Sequence, residues 1–406
     1  MAIKISSFTG LRPIKKLAHS IVSSSFDNLS VKEIKKASKN ISWNFLNILS
    51  PETFFPNHSK KQLTNYVRGY LKSMVDNQIL IKDDDPNFYI YKLSKNSRVQ
   101  YGVIASIEIN KKSHKHILPH EKTFTAKENS ILRNIESTKT QVGPVYLTYK
   151  NKNNLKLLFK KYSLTKPEYS FISVGGTKHS LWITKSSKDR NYISSQLSKI
   201  ETLYIADGHH RFAAISKLFK KAVQKNKKNK SVPLLAALFD QSSVKILSYN
   251  RLIKLKKNNP KEILDIIKRS FADVKLCKFK KPVMKGDVML FMCNKWFTFN
   301  LLNNNLKRDL SHETDIDLIN LLVINKICRI KKNEYKNYIN YLPGKYGPKD
   351  LEKKVKKNEA DIAFFVCPMT MHEIMSISNR KATVPQKSTF FDPKLIDGLV
   401  NLQMKL

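Results

Sequence analysis

Apolar residues recur along the chain at two different periods. Between residues 60 and 78 they follow each other at four-residue steps, which places them on one face of a helix: Leu63, Val67, Leu71 and Val75. Residues 88–93 and 101–109 instead alternate apolar with polar positions, as paired strands do. Ser30 followed by Glu33 has the spacing of a capping box and predicts a helix over 31–38. Together the two periods predict a mixed α/β fold, with a central mixed sheet and flanking helices.

One local unit combines both periods. Residues 202–206 form a compact apolar run that leads directly into Asp207 and Gly208, and apolar positions at helical spacing follow from Phe212 to Phe219. The pattern predicts a strand, a tight turn and a helix. The Lys-rich stretch 220–230 that follows is expected to be a solvated loop.

The length indicates two domains. A chain of 406 residues can bury a full hydrophobic core and usually divides once. Residues 256–260 have the best linker composition. We therefore expect an N-terminal α/β domain over 1–255 and a C-terminal α/β domain over 256–406.

The charge balance is strongly basic. Lys and Arg number 74 against 32 Asp and Glu, a formal net charge of +42, but 63 of the 74 are Lys and 11 are Arg. Proteins that recognise phosphates and bases usually do so through the planar guanidinium of Arg. A positive charge made up mainly of Lys is therefore weaker evidence for nucleic-acid recognition than the net charge suggests. Compositional drift with a solvated basic surface and a selected polyanion-binding face both fit.

Several classes of protein are disfavoured by the sequence. The four Cys are far apart and form no CxxC pair, which argues against a zinc ribbon or a disulfide framework. Apolar runs are shorter than the roughly 18 residues of a membrane span. Residues 1–26 are basic and Ser-rich, with an apolar stretch too interrupted for a secretory signal. We expect a cytoplasmic protein without membrane contact.

The densest cluster of reactive side chains lies at the predicted turn: Asp207, Gly208, His209, His210 and Arg211. A helix start presents unpaired N–H groups and a positive dipole end, which suits phosphate or carboxylate. Its Asp could cap the helix, coordinate a divalent ion or accept a proton, and its Arg could grip a phosphate. Successive helical residues diverge by about 100°, so the two His are not expected to share a metal. A capped turn with two satisfied His is the plainer alternative.

Two further clusters are weaker. Residues 385–394 form a polar loop bracketed by prolines, with phosphate-binding candidates at Lys387, Ser388, Thr389 and Lys394, or simply a solvated basic turn. His120 and Glu121 place an imidazole beside a carboxylate, which suits acid/base work or metal binding, although such a pair is more often an ordinary surface salt-bridge patch.

The order of short motifs along the chain resembles DUF1015, a large prokaryotic family of unknown function. The matching segments cover nearly the whole chain: Phe8-x-Gly10-Leu11-Arg12-Pro13, His120-Glu121-x-Thr123, Gly143-Pro144-Val145-Tyr146, His179-x-Leu181-Trp182, Asp207-Gly208-His209-His210-Arg211, Asn250-Arg251 and Pro385-x-Lys387-Ser388-Thr389-x-Phe391-x-Pro393-Lys394. The family pattern departs at Ser24 and Ser25, where prolines are usual, and near Ser130, where an Asp-Arg pair is usual.

The turn resembles the phosphate-handling turn of the ParB/sulfiredoxin-like superfamily, which includes kinases of free serine. That resemblance implies a ParB/sulfiredoxin-like core. It places Asp207 near the hydroxyl to be phosphorylated, and His209, His210 and Arg211 near phosphates. We add Arg12, from the first motif, to the candidate phosphate-binding residues.

These observations favour a phosphotransferase that acts on a small polar metabolite, with serine or phosphoserine as the preferred substrate. It would use ATP or ADP and Mg²⁺. Asp207, His209, His210 and Glu121 are the catalytic candidates, and Gly208 and His120 join the binding set. The alternative is a ParB-like nucleotide-binding module that contacts nucleic acid without turnover. A scaffold with a vestigial site is a third reading.

Overall fold

The computed structural model describes residues 3–24, 34–35, 41–150, 154–224, 231–256, 259–304 and 314–405. The chain divides into two compact units, one formed by 1–244 with 393–406 and the other by 245–392. The domain boundary that the sequence predicts between residues 255 and 256 stays a prediction. The capping box predicted at Ser30 and Glu33 lies outside the described residues, as does most of the helix predicted over 31–38, and so does Ser25.

The first unit contains fifteen named strands among its described residues. They are β1 (Ile5–Ser6), β2 (Gly10–Pro13), β3 (Ser23–Ser24), β4 (Leu80–Lys82), β5 (Tyr89–Lys95), β6 (Arg98–Ile109), β7 (Ile117–Leu118), β8 (Thr140–Val142), β9 (Val145–Tyr149), β10 (Tyr169–Ile172), β11 (Lys178–Ile183), β12 (Leu203–Asp207), β13 (Val232–Asp240), β21 (Ile396–Asp397) and β22 (Asn401–Gln403).

The largest sheet of this unit is mixed. Its strand order is β10-β11-β5-β6-β13-β9-β12-β7, with β1 added on β6. β13 pairs parallel with β9 and antiparallel with β6, while β12 pairs antiparallel with β9 and parallel with β7. β13 is an almost continuous apolar run with six successive buried residues from Leu234 to Phe239, as expected for a strand covered on both faces. The predicted pair of strands at 88–93 and 101–109 is confirmed as β5 and β6.

Two smaller sheets tie the end of the chain to its beginning. The four-stranded sheet has the order β4-β2-β22-β8, and β21 pairs with β3 alone. The pairing joins Ile396 to Ser24 and Asp397 to Ser23. These contacts explain why residues 393–406 belong to the first unit although they follow the whole of the second.

Seven α-helices of the first unit lie in the described residues. They are α1 (Ala18–Ile21), α2 (Leu46–Leu49), α3 (Lys60–Asp76), α4 (Thr125–Thr138), α5 (Lys156–Ser163), α6 (Ser187–Leu197) and α7 (His209–Gln224), with 3₁₀ turns at Pro51–Thr53, Ser113–His116 and Gln241–Ser243. The helix predicted over 60–78 is confirmed as α3, whose start carries a capping box formed by Ser59 and Gln62.

The expectation of a loop from Lys220 onward is wrong at its start, because α7 continues to Gln224. Lys220 and Lys221 are exposed, whereas Ile215 and Leu218 on the other face are buried. Lysines on the solvent face of a helix do not interrupt it, because Lys has a high helix propensity.

The second unit is built around a seven-stranded sheet. Its strands are β14 (Lys245–Ile253), β15 (Lys275–Cys277), β16 (Asp287–Met292), β17 (Lys295–Asn300), β18 (Ile339–Pro343), β19 (Ile362–Val366) and β20 (Thr389–Asp392). The order is β15-β17-β16-β19-β14-β18, with β20 added on β14.

The helices of the second unit cover its apolar core. They are α8 (Pro260–Ser270), α9 (Asp315–Leu318), α10 (Tyr335–Tyr338), α11 (Pro348–Lys356) and α12 (Met371–Asn379), with a 3₁₀ turn at Lys332–Glu334. α9 continues as a π-helix over Ile319–Ile327.

Both units combine helices with sheets, and the largest sheet is mixed in the first unit and antiparallel in the second, so the predicted α/β class is confirmed. The ParB/sulfiredoxin-like core stays a prediction. None of the helices in the described ranges combines the length and the apolar character needed to cross a bilayer.

Candidate active site at the β12–α7 turn

Sheet order brings three segments of the first unit to one place. β9 runs antiparallel to β12, so the start of β9, at Pro144 and Val145, lies beside the end of β12. β7 runs parallel to β12, so His120, which follows β7, emerges at the same edge as Asp207. The register between β9 and β12 shifts between Ile205 and Asp207, the kind of bulge that often re-aims side chains next to functional sites.

The turn itself depends on a glycine. Gly208 has φ +91°, in the left-handed region that side chains disfavour. Its carbonyl accepts the first helical hydrogen bond, from the backbone N–H of Phe212 at 3.0 Å. β12 ends on Asp207, and the 16-residue α7 begins two residues later, at His209.

Asp207 forms an ion pair with Lys394. The Lys394 Nζ atom donates to Asp207 Oδ2 at 2.9 Å, and the two side chains are 18% and 33% exposed. Burial would raise the pKa of Asp207, but the charges of Lys394 and then Arg211 stabilise the carboxylate and hold its pKa below the ordinary value. The structure thus brings together the acid of the turn and the last lysine of the 385–394 motif.

Arg211 pairs with a residue that the sequence did not single out. Its Nη2 atom donates to Asp397 Oδ2 at 2.6 Å, and its Nη1 atom donates to the Pro144 carbonyl at 3.3 Å. The Asp397 side chain is only 4% exposed. Gly143 has φ +83°, and a Cβ added there would collide with Asp397 Oδ1 and approach the Arg211 guanidinium carbon at 3.2 Å.

His120 and His209 form a buried pair. Their ring centroids are 4.5 Å apart in an edge-on arrangement, and the backbone N–H of His120 donates to His209 Nε2 at 3.4 Å. Nε2 can accept only when it carries no proton, so His209 is neutral with its proton on Nδ1. Burial lowers the pKa of His120 to about 4 and holds that of His209 well below its ordinary value. Both rings are uncharged at neutral pH.

His210 lies on a different side of α7. Its ring stacks on Phe124 at 5.9 Å, and its Nδ1 atom accepts from the Phe124 backbone N–H at 3.4 Å. The two adjacent His thus make separate contacts, which agrees with the expected angular divergence along a helix. Glu121 follows His120 and is half-buried in a β-bridge position.

Arg12 belongs to another cluster of the first unit. Its Nε atom donates to Asp83 Oδ1 at 2.8 Å, and its Nη1 atom donates to the Tyr169 hydroxyl at 2.6 Å. Tyr89 also donates to Asp83, at 2.6 Å. This buried network joins strand β2 to β5 and β10, and a phosphate-binding role for Arg12 stays a prediction.

The other candidates of the 385–394 motif lie in the second unit. The Lys387 carbonyl accepts from Arg251 Nη1 at 2.9 Å, and the Lys387 ammonium lies 5.2 Å from the centre of the Tyr249 ring. The Ser388 hydroxyl is buried and donates to the Pro385 carbonyl, while Thr389 begins β20. Binding of phosphate by these residues stays a prediction.

Asp397 was missed because sequence gives no spacing signal for it: it is 186 residues from Arg211. One local signal was present. Asp397 interrupts the apolar run Leu395, Ile396, Leu399 and Val400, and an acid inside a buried segment needs a partner.

The chain belongs to the family described as "Protein of unknown function (DUF1015)", whose model matches residues 5–322. The family resemblance predicted from the motifs is thereby confirmed. No curated protein matches the chain.

Several solved structures are similar to it at low identity. A mutant free serine kinase in complex with ADP has 13% identity and a TM-score of 0.39, covering 77% of this chain and 95% of that one. A free serine kinase in complex with AMP has 14% identity and a TM-score of 0.39, covering 77% and 94%. A conserved hypothetical protein from Pyrococcus furiosus has 15% identity and a TM-score of 0.36, covering 75% and 98%.

Proposed function

We propose that the protein is a nucleotide-dependent phosphotransferase acting on a small polar metabolite, with serine or phosphoserine as the first substrate to test. The observation that carries the proposal is the Asp207–Lys394 pair at the N-terminus of α7. Phosphoryl transfer depends mainly on positioning and charge stabilisation, and this place combines a carboxylate, an ammonium and the positive dipole end of a helix.

In this proposal the substrate hydroxyl attacks the terminal phosphate of the nucleotide, Asp207 accepts the proton of that hydroxyl, and the bond to the departing nucleotide breaks, which releases ADP from ATP or AMP from ADP. Lys394 and Arg211 hold phosphate oxygens. With Lys394 beside it, Asp207 is a weak base, because the cation favours its ionised form. A phosphate that draws Lys394 toward itself would weaken this stabilisation and raise the basicity of Asp207. Phosphate binding would in this way prepare the base.

The two buried His have a supporting role in this scheme. His209 is neutral and its Nε2 is engaged by the backbone N–H of His120. We assign His209 and His120 to positioning the start of α7 rather than to proton transfer. His210 and Glu121 remain the other catalytic candidates.

The turn offers Mg²⁺ one candidate protein ligand, Asp207. The described residues hold no group of three or more His, Cys, Asp or Glu arranged to bind a metal. Mg²⁺ commonly uses one or two carboxylates together with substrate phosphates, so Asp207 would be its protein ligand. When bound, the ion would supply neutralisation of charge on the phosphates.

The test is direct. Purified protein is incubated with serine and ATP or ADP, and phosphoserine is measured, also in the reverse direction. Asp207→Asn should lower the rate by about 10²–10⁴-fold, the usual contribution of a general base. Asp189→Asn is the matched control, since Asp189 is a well-buried acid paired with Lys161 away from the turn. Absence of turnover with either nucleotide would contradict the proposal.

The nucleic-acid module is the second candidate, and the charge of +42 is what favours it. It predicts that nucleotide binds, that DNA binds with a steep salt dependence, and that no phosphorylated product forms.

A further inference from the structure

A groove of about 420 Å³ lies between α4 and α7 in the first unit. Its floor includes Leu132, and its charged lining consists of Arg133, Glu136, Lys217, Lys220 and Lys221. This volume is in the range of ligand-binding clefts. The charged lining comprises four cations and one carboxylate.

The positive charge of this lining is only partly compensated. Lys217 pairs with Glu128 at 2.7 Å, and Lys221 pairs with Glu136 at 2.7 Å. Arg133 and Lys220 make no ion pair within the part of the chain that the structure describes.

The lysines of the groove are spaced so that like charges lie close together on α7. Lys220 and Lys221 follow Lys217 by three and four positions on α7, a spacing at which like charges on a helix repel each other. Such a face is stabilised by an anion that lies along it.

We propose that the α4–α7 groove binds the phosphate backbone of nucleic acid. The groove is an open channel between two helices and its charges are mainly Lys, which act as point charges rather than as planar forks. Its lining contains no aromatic side chain on which a base could stack. Binding should therefore be independent of sequence and strongly dependent on salt.

The experiment measures binding of fluorescent single-stranded and duplex DNA by the full chain over a series of salt concentrations. The double variant Arg133→Gln/Lys220→Gln should weaken binding to all sequences and reduce the slope of log affinity against log salt by about two, since each phosphate contact contributes about 0.9. The charge-retaining variant Arg133→Lys/Lys220→Arg should keep the wild-type slope.

The matched control is Lys61→Gln/Arg68→Gln, which removes one Lys and one Arg from exposed positions on α3. It should leave the slope nearly unchanged. Equal losses in the two neutralised variants would mean that charge is spread over the whole surface, and this would overturn the proposal. Absence of DNA binding by the wild type at low salt would overturn it as well. Neither outcome depends on whether serine is phosphorylated.

Discussion

Arg211 and Asp397 form an ion pair of 2.6 Å between residues 186 positions apart. The adjacent pair, Asp207 with Lys394, has the opposite polarity at 2.9 Å. The β12–α7 turn thus supplies an acid and then a base, while the final segment supplies a base and then an acid. Two ion pairs of opposite polarity hold the end of the chain to the turn.

Asp397→Asn should destabilise the first unit. The substitution keeps the shape but removes the charge that Arg211 faces in a site where Asp397 is 4% exposed. Loss of a charged hydrogen bond of this kind costs about 1.5–3 kcal/mol. Urea unfolding measures the change, with Asp76→Asn, at an exposed ion pair on α3, as control. A free energy of unfolding within about 0.5 kcal/mol of wild type would show that the pair contributes little.

Gly143→Ala should be more harmful than its size suggests. Gly143 has φ +83°, and an added Cβ would meet the Asp397 carboxylate. We expect a loss of more than about 1 kcal/mol, because backbone strain and a clash add. Gly175→Ala is the control, since no atom lies within 4 Å of the added carbon. Equal thermal stability of the two variants would contradict this account of Gly143.

Lys394→Met should shift the acid limb of the activity profile to higher pH. Lys394 lowers the pKa of Asp207, so its removal lets burial raise that pKa. A base with a higher pKa is protonated at a higher pH, and activity is lost sooner on acidification. The profile of kcat/KM against pH measures this shift. Lys394→Arg should retain the wild-type limb, and a profile that does not move in Lys394→Met would exclude Asp207 as the base.

Protonation of the buried His pair should destabilise the protein in acid. Burial lowers the pKa of His120 to about 4 in the folded protein, against about 6.5 for an ordinary His, so the unfolded chain binds the proton more readily. His120 therefore does not lower the free energy of unfolding above pH 6.5. Below that pH, the free energy of unfolding falls progressively until the pH reaches about 4.

His120→Gln should remove one titrating group and flatten the dependence by up to about 1.4 kcal/mol per pH unit within that window. The free energy of unfolding at several pH values measures it. His58→Gln, at an exposed position, is the comparison. A slope unchanged by His120→Gln would mean that other groups carry the acid sensitivity.

The sequence by itself determined the local structure around the turn. The apolar run before Asp207 predicted β12, the helical spacing after Gly208 predicted α7, and both are present. Such elements can be predicted from sequence because the periodicity of apolar residues and the residues that form turns are local properties of the chain. The motif order also sufficed for the family.

Only the tertiary structure decided which side chains meet. Lys394 was expected in a loop with Lys387, Ser388 and Thr389, yet it belongs to the unit of Asp207 while the other three belong to the second unit. Asp397 had no motif at all, and its partner is Arg211. Contacts between residues nearly 200 positions apart arise from strand pairing at the end of the chain, β21 on β3 and β22 on β2. Those pairings depend on the folded core as a whole, which no local pattern encodes.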